Sequence, residues 1–101
     1  MMTSYNLYYG TVDGPLKLKY RSTQEFKSEQ EVKKNLWNTV CSFYYKNEGK
    51  YHLPSYKEIA EECKITGIPV EKLYNEHIKD LIKFYYVPTE LDTVSTKDLI
   101  E

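Results

Sequence analysis

The sequence predicts a small α+β domain with an N-terminal β-hairpin, three helices and a second pair of strands. Two kinds of observation carry this prediction: alternating residues flank an Asp-Gly turn near the start, and two capping boxes each precede a helical run of apolar residues. A length of 101 residues allows one core, and 41% apolar residues exclude a wholly disordered chain. We expect a single domain over 1–101, with the hairpin at 1–24 and the rest of the core at 28–95.

The hairpin is predicted from two runs rich in strand-forming residues, 4–12 and 16–21, with Asp13-Gly14 between them. Alternate residues of a strand point to opposite faces. The second run therefore predicts one apolar face with Leu16, Leu18 and Tyr20. It also predicts one basic face with Lys17, Lys19 and Arg21.

The first two helices are predicted from capping boxes. Ser28-Glu-Gln-Glu31 opens the first helix, which ends near Asn47-Glu-Gly49, and its apolar stripe consists of Val32, Leu36, Trp37, Val40, Cys41, Phe43 and Tyr44. A short extended segment, 50–53, stops at Pro54. Ser55-Tyr-Lys-Glu58 then opens a second helix, with its apolar residues at Tyr56, Ile59, Ala60 and Cys63.

The third helix is predicted over Gly67 to Phe84, after a tight turn at Lys64-Ile65-Thr66. Pro69 fits its first turn, and its apolar stripe consists of Val70, Leu73, Tyr74, His77, Ile78, Leu81 and Ile82. Two short strands, 84–87 and 91–94, are expected next, and Ser95 to Glu101 is a candidate for a further helix. This order of elements is that of a winged helix-turn-helix with an added N-terminal hairpin.

The spacing from Ala60 to the turn, Val70 and Leu73 reproduces the core of a helix-turn-helix, although Lys64 occupies the turn position that usually holds Gly. The segment from Phe43 to Thr66, with its Pro54-Ser-Tyr56 element, and the later Ile78-Lys-Asp-Leu-Ile82 together resemble winged-helix domains of plasmid and phage replication or transfer proteins. The small size also makes the chain similar to relaxosome accessory proteins of clostridial conjugative plasmids. This resemblance implies binding to duplex DNA at an origin of transfer or replication.

Charge is distributed unevenly along the chain. The net charge is −1, but residues 1–57 hold nine cations against five carboxylates, and the remainder holds five against ten. A polyanion is therefore expected to meet the first half. The third helix lacks Arg on its exposed face and carries Glu71 and Glu76, so the hairpin is the alternative contact surface. The candidate DNA-binding residues are Lys17, Lys19, Arg21, Lys27, Tyr56, Lys57, Thr66, Lys72, Asn75 and Thr89.

The sequence offers little for catalysis or metal binding. Cys41, Cys63, His52 and His77 lack the close pairs that structural zinc sites use, and neither cysteine lies in a basic environment at a helix start. Phosphate-binding loops, paired catalytic carboxylates and a serine elbow are missing from the sequence. We expect a protein without enzymatic activity, cofactor or metal.

Three functions remain open at this point: a sequence-specific DNA-binding accessory protein of a mobile element, a transcriptional repressor, and a protein-interaction module that has lost DNA binding. A relaxase or replication protein is a candidate partner of the first. The eleven tyrosines, including Tyr5, Tyr8, Tyr9, Tyr45, Tyr85 and Tyr86, suggest a homodimer interface. Without a membrane span or signal peptide in the sequence, we expect a cytoplasmic protein without membrane contact.

Overall fold

The computed structural model describes residues 4–22, 24–47 and 49–89. In these residues the chain forms β1 (Tyr5–Thr11), β2 (Lys17–Arg21), α1 (Glu29–Lys46), α2 (Tyr56–Thr66), α3 (Val70–Ile78) and β3 (Ile82–Pro88). Three helices and an antiparallel sheet confirm the predicted α+β class. The expected strand at 91–94 and the expected helix at 95–101 lie outside the described residues.

The three strands form one antiparallel sheet in the order β2-β1-β3. β3 pairs with β1 over its whole length, from Tyr5 opposite Pro88 to Thr11 opposite Ile82. The structure differs in one respect from the predicted two-stranded wing with an added hairpin, since the hairpin and the C-terminal strand β3 share one sheet. The reason is that β1 has two hydrogen-bonding edges, and β3 satisfies the edge that β2 leaves open.

A β-bulge interrupts the pairing of β1 with β2. Leu7 lies opposite Tyr20 but Tyr8 lies opposite Leu18, so Lys19 is the extra residue on β2. Strict alternation fails at this point, and Leu18 and Tyr20 lie on opposite faces. Two predictions are therefore wrong: Leu18 and Tyr20 do not share one apolar face of β2, and Lys17, Lys19 and Arg21 do not share one basic face.

Both predicted serines cap their helices, and Glu31 also reaches back, to the Lys27 amide. The Ser28 side chain accepts a hydrogen bond from the Glu31 amide at 3.2 Å, and Glu31 Oε2 accepts one from the Lys27 amide at 2.7 Å. Ser55 accepts from the Glu58 amide at 3.3 Å in the same way. These bonds satisfy amides that have no partner within the helix, which explains why α1 and α2 begin where they do.

The turn between α2 and α3 lies later than predicted. α2 continues through Lys64 to Thr66, and Gly67 then takes a left-handed conformation with φ of 75°. α3 is also shorter than predicted: it ends at Ile78, and strand β3 starts at Ile82. The apolar spacing of Leu81 and Ile82 fits a helix, but Leu81 lies in the turn after α3, and pairing with β1 places Ile82 at the start of β3.

The helices cover one face of the sheet. Tyr5, Leu7 and Tyr9 of β1 join residues of all three helices in one buried cluster. The Trp37 ring stacks on Tyr74 of α3, with 4.3 Å between centroids, and its indole N–H donates to the Pro54 carbonyl at 2.7 Å. That bond anchors the connection between α1 and α2, in which the expected extended segment 50–53 forms no strand.

Candidate nucleic-acid interface

The sheet is basic. Its three strands contain Lys17, Lys19, Arg21 and Lys83 but no Asp or Glu, in a chain whose net charge is −1. Carboxylates are concentrated on the helices instead; α2 and α3 together hold three lysines and five glutamates. The sheet and its surroundings are therefore the described part of the molecule most attractive to a polyanion.

The face of the sheet turned away from the helices is called here the outer face. Because residues directly opposite one another share a face, the register assigns it Asn6, Tyr8, Gly10, Leu18, Arg21, Lys83, Tyr85 and Val87. Arg21 Nε donates to Asn6 Oδ1 at 2.9 Å. Asn6 is completely buried, so this hydrogen bond holds the guanidinium in a defined position on the outer face.

Two tyrosines stack on the outer face. The rings of Tyr8 and Tyr85 are 4.7 Å apart between centroids and inclined by only 4°. Tyr85 is 44% exposed, and Tyr8 is half-buried. Lys83 lies two residues from Tyr85 on the same face, opposite Gly10, which has no side chain. Aromatic and cationic groups thus lie side by side.

On the other side of the sheet, a polar groove runs between α1 and β2. It consists of two adjoining hollows of about 260 and 330 Å³ that share Asn35 and Asn38. Its remaining lining residues are Tyr20, Gln24, Phe26, Glu31, Lys34, Thr39, Ser42, Phe43 and Lys46. Glu31 is the single carboxylate of this lining, and it already accepts the Lys27 amide. We refer to this feature as the α1–β2 groove.

Asn35 is fixed at the floor of the groove. The Tyr5 hydroxyl donates to Asn35 Oδ1 at 2.6 Å, and the Thr39 hydroxyl donates to the Asn35 carbonyl at 2.9 Å. Burial raises the pKa of Tyr5 to about 12, so its hydroxyl stays protonated and remains a donor at neutral pH. With Oδ1 occupied as an acceptor, the amide group of Asn35 offers donors to a ligand in the groove.

The predicted residues of the helix-turn-helix surface are only partly suited to binding. Lys57, Thr66, Lys72 and Asn75 are exposed. The Thr66 hydroxyl is used within the turn, because it donates to the Glu62 carbonyl at 2.8 Å and accepts from the Ile68 amide at 3.2 Å. Tyr56 is buried in the core, and we therefore remove it from the candidate interface.

The carboxylates near α3 are paired with neighbouring cations. Glu71 Oε1 lies 2.8 Å from Lys33 Nζ, at the rim of a cleft of about 320 Å³ between α1, α3 and β3 that Asn75 also lines. Glu76 lies 3.4 Å from Lys79. His77, predicted on the apolar stripe, is exposed and lies 3.4 Å from Glu62. The repulsion expected of Glu71 and Glu76 is therefore partly compensated.

The last two predicted residues lie at the ends of strands or helices. Lys27 is exposed immediately before α1. Thr89 is bound to the start of the chain: its amide donates to the Ser4 carbonyl at 3.1 Å, and its hydroxyl accepts from Ser4 at 2.7 Å. The structure thus brings neither of them next to Thr66, Lys72 or Asn75 in one described cleft.

Reactive and metal-binding groups are dispersed. Burial raises the pKa of the Cys41 thiol to about 11, which keeps it protonated at neutral pH. Cys41 and Cys63 are both free thiols. In the ranges 4–22, 24–47 and 49–89, three or more His, Cys, Asp or Glu side chains nowhere converge on a point that could hold a metal ion.

Comparisons with known proteins identified no relative of this chain. No protein-family model, curated protein or solved structure matches the chain. Among the described helices, none is long and apolar enough to cross a membrane.

Sequence reasoning did not include Lys83, Tyr85, Lys34 and Lys46 among the candidate nucleic-acid contacts. Lys83 was assigned to the third helix because the apolar spacing continues to Ile82, and a strand starting there puts it on the outer face instead. For Lys34 and Lys46 a signal existed. Lys34, Asn38, Ser42 and Lys46 follow at intervals of four, which marks one polar face of α1.

Proposed function

We propose that the protein binds duplex DNA, with the α1–β2 side of the molecule as its main contact surface. The observation that carries this proposal is the groove flanked by Lys34 and Lys46 of α1 and lying against β2, the strand of Lys17 and Lys19. Amides and hydroxyls line its floor, and Glu31 is the single carboxylate of the described lining. Cations release counterions from the phosphate backbone, and neutral donors fix the register.

We propose further that α1, α2, α3 and the sheet form a winged-helix-like unit. The three-residue connection with left-handed Gly67 supports this, because a short turn containing Gly is typical of a helix-turn-helix. The lysine and glutamate content of α2 and α3 does not favour deep insertion of α3 into the major groove. In this proposal α3 makes at most secondary contacts, through Lys72 and Asn75.

The proposed biological role is that of an accessory protein of a mobile element, marking an origin of transfer or replication in the cytoplasm. It rests on the resemblance to plasmid and phage winged-helix proteins. In this role the protein forms a homodimer, and its proposed protein partner is a relaxase or a replication protein. A transcriptional repressor would use the same contacts at a different site. Sequencing the plasmid and genomic fragments that the protein captures at two salt concentrations separates the roles: origin fragments support the accessory role, and promoter fragments support a repressor.

A protein-interaction module is the second candidate. The observation that favours it is the exposed apolar surface at the α2–α3 end, where Ile65 is 84% exposed and Ile68 is also accessible. This surface lies on helices with more carboxylates than lysines, which suits a basic protein partner better than DNA.

Salt-dependent binding to a labelled duplex tests the proposed function. Neutralising Lys17, Lys19, Lys34 and Lys46 to Gln should flatten the slope of log K against log salt by up to about 3.5, at about 0.9 for each phosphate contact. The matched control neutralises Lys57 and Lys72 on α2 and α3 and should alter the slope little. If the control abolishes binding while the first variant binds normally, docking occurs through α3 and the proposed surface is wrong.

A further inference from the structure

The cleft between α1, α3 and β3 follows an edge of the sheet. Four consecutive residues of β3, from Lys83 to Tyr86, line it, opposite residues of α1 and α3. Successive residues of a strand point to opposite faces, so a cleft that contacts all four borders the edge of β3 and not one of its faces. We refer to it as the α3–β3 cleft.

This edge of β3 is the one that β1 leaves open. β3 is an outer strand of the sheet, and within residues 4–22, 24–47 and 49–89 its second edge has no partner strand. The pairing of β3 with β1 runs without a bulge, whereas β2, on the other side of β1, is bulged at Lys19. The free edge of β3 is therefore the more regular of the two, and a regular edge accepts a further strand.

Two hydrogen bonds show which backbone groups of β3 point to the free edge. The Thr89 amide donates to the carbonyl of Ser4, which lies opposite it, and the Ser22 amide donates to the Tyr5 carbonyl on the other side of β1. Hydrogen-bonded and non-hydrogen-bonded pairs alternate along an antiparallel ladder, so the odd-numbered residues of β3 bond to β1. The residues that direct both N–H and C=O to the free edge are Ile82, Phe84 and Tyr86.

The two sides of this edge differ in chemistry. On the helix side, the floor of the cleft is apolar, with the buried side chains of Leu36, Tyr74 and Ile78. At the rim, Lys33 and Glu71 neutralise each other at 2.8 Å. A strand added here would therefore place apolar side chains against the helices.

On the opposite side of the edge, Lys83 is the available charge. The Pro15 backbone occupies the space beside Gly10, the residue opposite Lys83 on β1, so the room around the lysine lies toward the free edge. The ion pairs of the described residues do not include Lys83. A carboxylate on an added strand is complementary to this position.

We propose that the α3–β3 cleft binds an extended peptide segment of a partner protein, which adds to the sheet as a fourth strand beside β3. The peptide backbone bonds to Phe84 and Tyr86, its alternate apolar side chains enter the cleft, and a carboxylate between them pairs with Lys83. In such strand addition the backbone supplies affinity and the alternate side chains supply specificity. A second copy of β3 is a poorer occupant, because β3 contains no carboxylate. The site does not require the proposed duplex binding.

The test uses a fluorescein-labelled heptapeptide with blocked ends, Val-Thr-Val-Glu-Val-Thr-Val, and measures its anisotropy. One modified version carries N-methyl groups on the Val amides, and a second carries them on the Thr and Glu amides. Because one set of amides faces β3 and the other faces solvent, one version should bind at least about 10-fold more weakly and the other should bind like the parent peptide. Equal binding of the two versions would overturn the proposal.

Amide hydrogen exchange locates the added strand. The Phe84 and Tyr86 amides should exchange more slowly when the parent peptide is bound, whereas the Tyr85 amide, already bonded to β1, should change less. Protection along β2 instead would place the peptide at the other edge and contradict the proposal.

Two substitutions on α3 form a matched pair. Asn75 lines the cleft, and Asn75→Trp should weaken peptide binding about 10-fold or more by filling it. Lys72 is exposed on the same helix but does not line the cleft, so Lys72→Trp should bind like the wild type. Far-UV circular dichroism melts verify that both variants fold.

A charge reversal tests the pairing with Lys83. The wild type should prefer the parent peptide over a version with Lys in place of Glu by about 2- to 5-fold, the strength of an exposed ion pair. Lys83→Glu should reverse this preference, and an unchanged preference would contradict the pairing.

Three further results would overturn the proposal. The first is failure of the wild type to bind the parent peptide, and the second is equal weakening by the two α3 variants. The third is a wild-type dimer that Asn75→Trp converts to a monomer, which would make a second copy the occupant. Lys34→Gln combined with Lys46→Gln should leave peptide binding unchanged, so failure of this site is distinguishable from failure of duplex binding in the α1–β2 groove.

Discussion

Lys33 and Glu71 illustrate how a single contact alters the interpretation of a charge. From the sequence, Glu71 is a carboxylate on the candidate recognition helix that would repel phosphates. In the structure it meets Lys33 of α1 at 2.8 Å, and Lys33 also approaches Glu29 at 3.6 Å. Burial alone would raise the pKa of Glu71, but the hydrogen bond and charge of Lys33 outweigh it and lower that pKa. Glu71 thus joins α3 to α1.

This ion pair predicts a pH-dependent contribution to stability. A carboxyl whose pKa is lower in the folded state stabilises the fold above its unfolded pKa, near 4.3. That contribution disappears as the pH falls through the lower, folded-state value. Glu71→Gln should therefore reduce the free energy of unfolding at pH 7 by at most about 1 kcal/mol, because the pair is half exposed. Once the pH lies below the folded-state pKa of Glu71, the variant and the wild type should be nearly equal.

Urea unfolding at a series of decreasing pH values, starting at pH 7, is the measurement. Glu61→Gln is the control, since Glu61 is an exposed carboxylate of α2 for which the described residues show no ion pair. Parallel stability curves of Glu71→Gln and the wild type across this range would contradict the assignment.

At the scale of elements, the α2–α3 connection depends on one backbone conformation. A left-handed residue is needed to end α2 and redirect the chain, and Gly67 supplies it. The sequence suggested Lys64 for this role, three residues too early. Local signals were ambiguous here, because Lys64, Ile65 and Thr66 all tolerate a helix, and the Thr66 hydroxyl stabilises its last turn.

Gly67→Ala should destabilise the protein by about 1 kcal/mol, the cost of left-handed backbone for an L-residue. Steric overlap contributes nothing, because a Cβ at this position meets no atom within 4 Å. Lys64→Gly should also destabilise it, by about 0.5–1 kcal/mol, because Lys64 is helical. Thermal unfolding of both variants decides: a stabilising Lys64→Gly would mean that the turn lies where the sequence suggested.

At the scale of the whole molecule, one hydrophobic core lies between the sheet and the layer of helices and joins them. The buried cluster extends from β1 through α1 and α3, and Trp37, the single tryptophan of the chain, lies fully buried within it. Half of the six tyrosines named for a homodimer are used here: Tyr5 and Tyr9 are buried, and Tyr86 packs against the cluster. The homodimer stays a prediction, now with less aromatic surface to support it.

A shared core predicts cooperative unfolding. In urea, tryptophan fluorescence and far-UV circular dichroism should give the same midpoint, with an m-value of about 1–3 kcal/mol/M. Fluorescence reports the Trp37–Tyr74 contact, and circular dichroism reports the helices. Separate midpoints would show that the hairpin or a helix unfolds independently of the core.

The sequence predicted the structural features that depend on contacts between neighbouring residues. It missed those that depend on contacts between residues far apart in the chain. Serine caps fix the starts of α1 and α2 through bonds within four residues, and both starts were predicted correctly. The end of α3, the bulge at Lys19 and the place of Lys83 on the sheet all depend on pairing with β1. The groove likewise requires that α1 and β2 meet, which no local pattern encodes.

The position of β1 in the middle of the sheet has a consequence for how the protein is made. β1 leaves the ribosome before the helices, whereas β3, its second partner, follows only after all three of them. Until then the nascent chain holds a two-stranded hairpin, an arrangement that is marginal in water, with an unprotected edge and the apolar side chains of Tyr5, Leu7 and Tyr9. Sheet completion also requires closing a loop of nearly the whole described chain, which slows folding relative to the local helices. We therefore expect the nascent chain to be most prone to aggregation, and most dependent on chaperones, during translation of the helices.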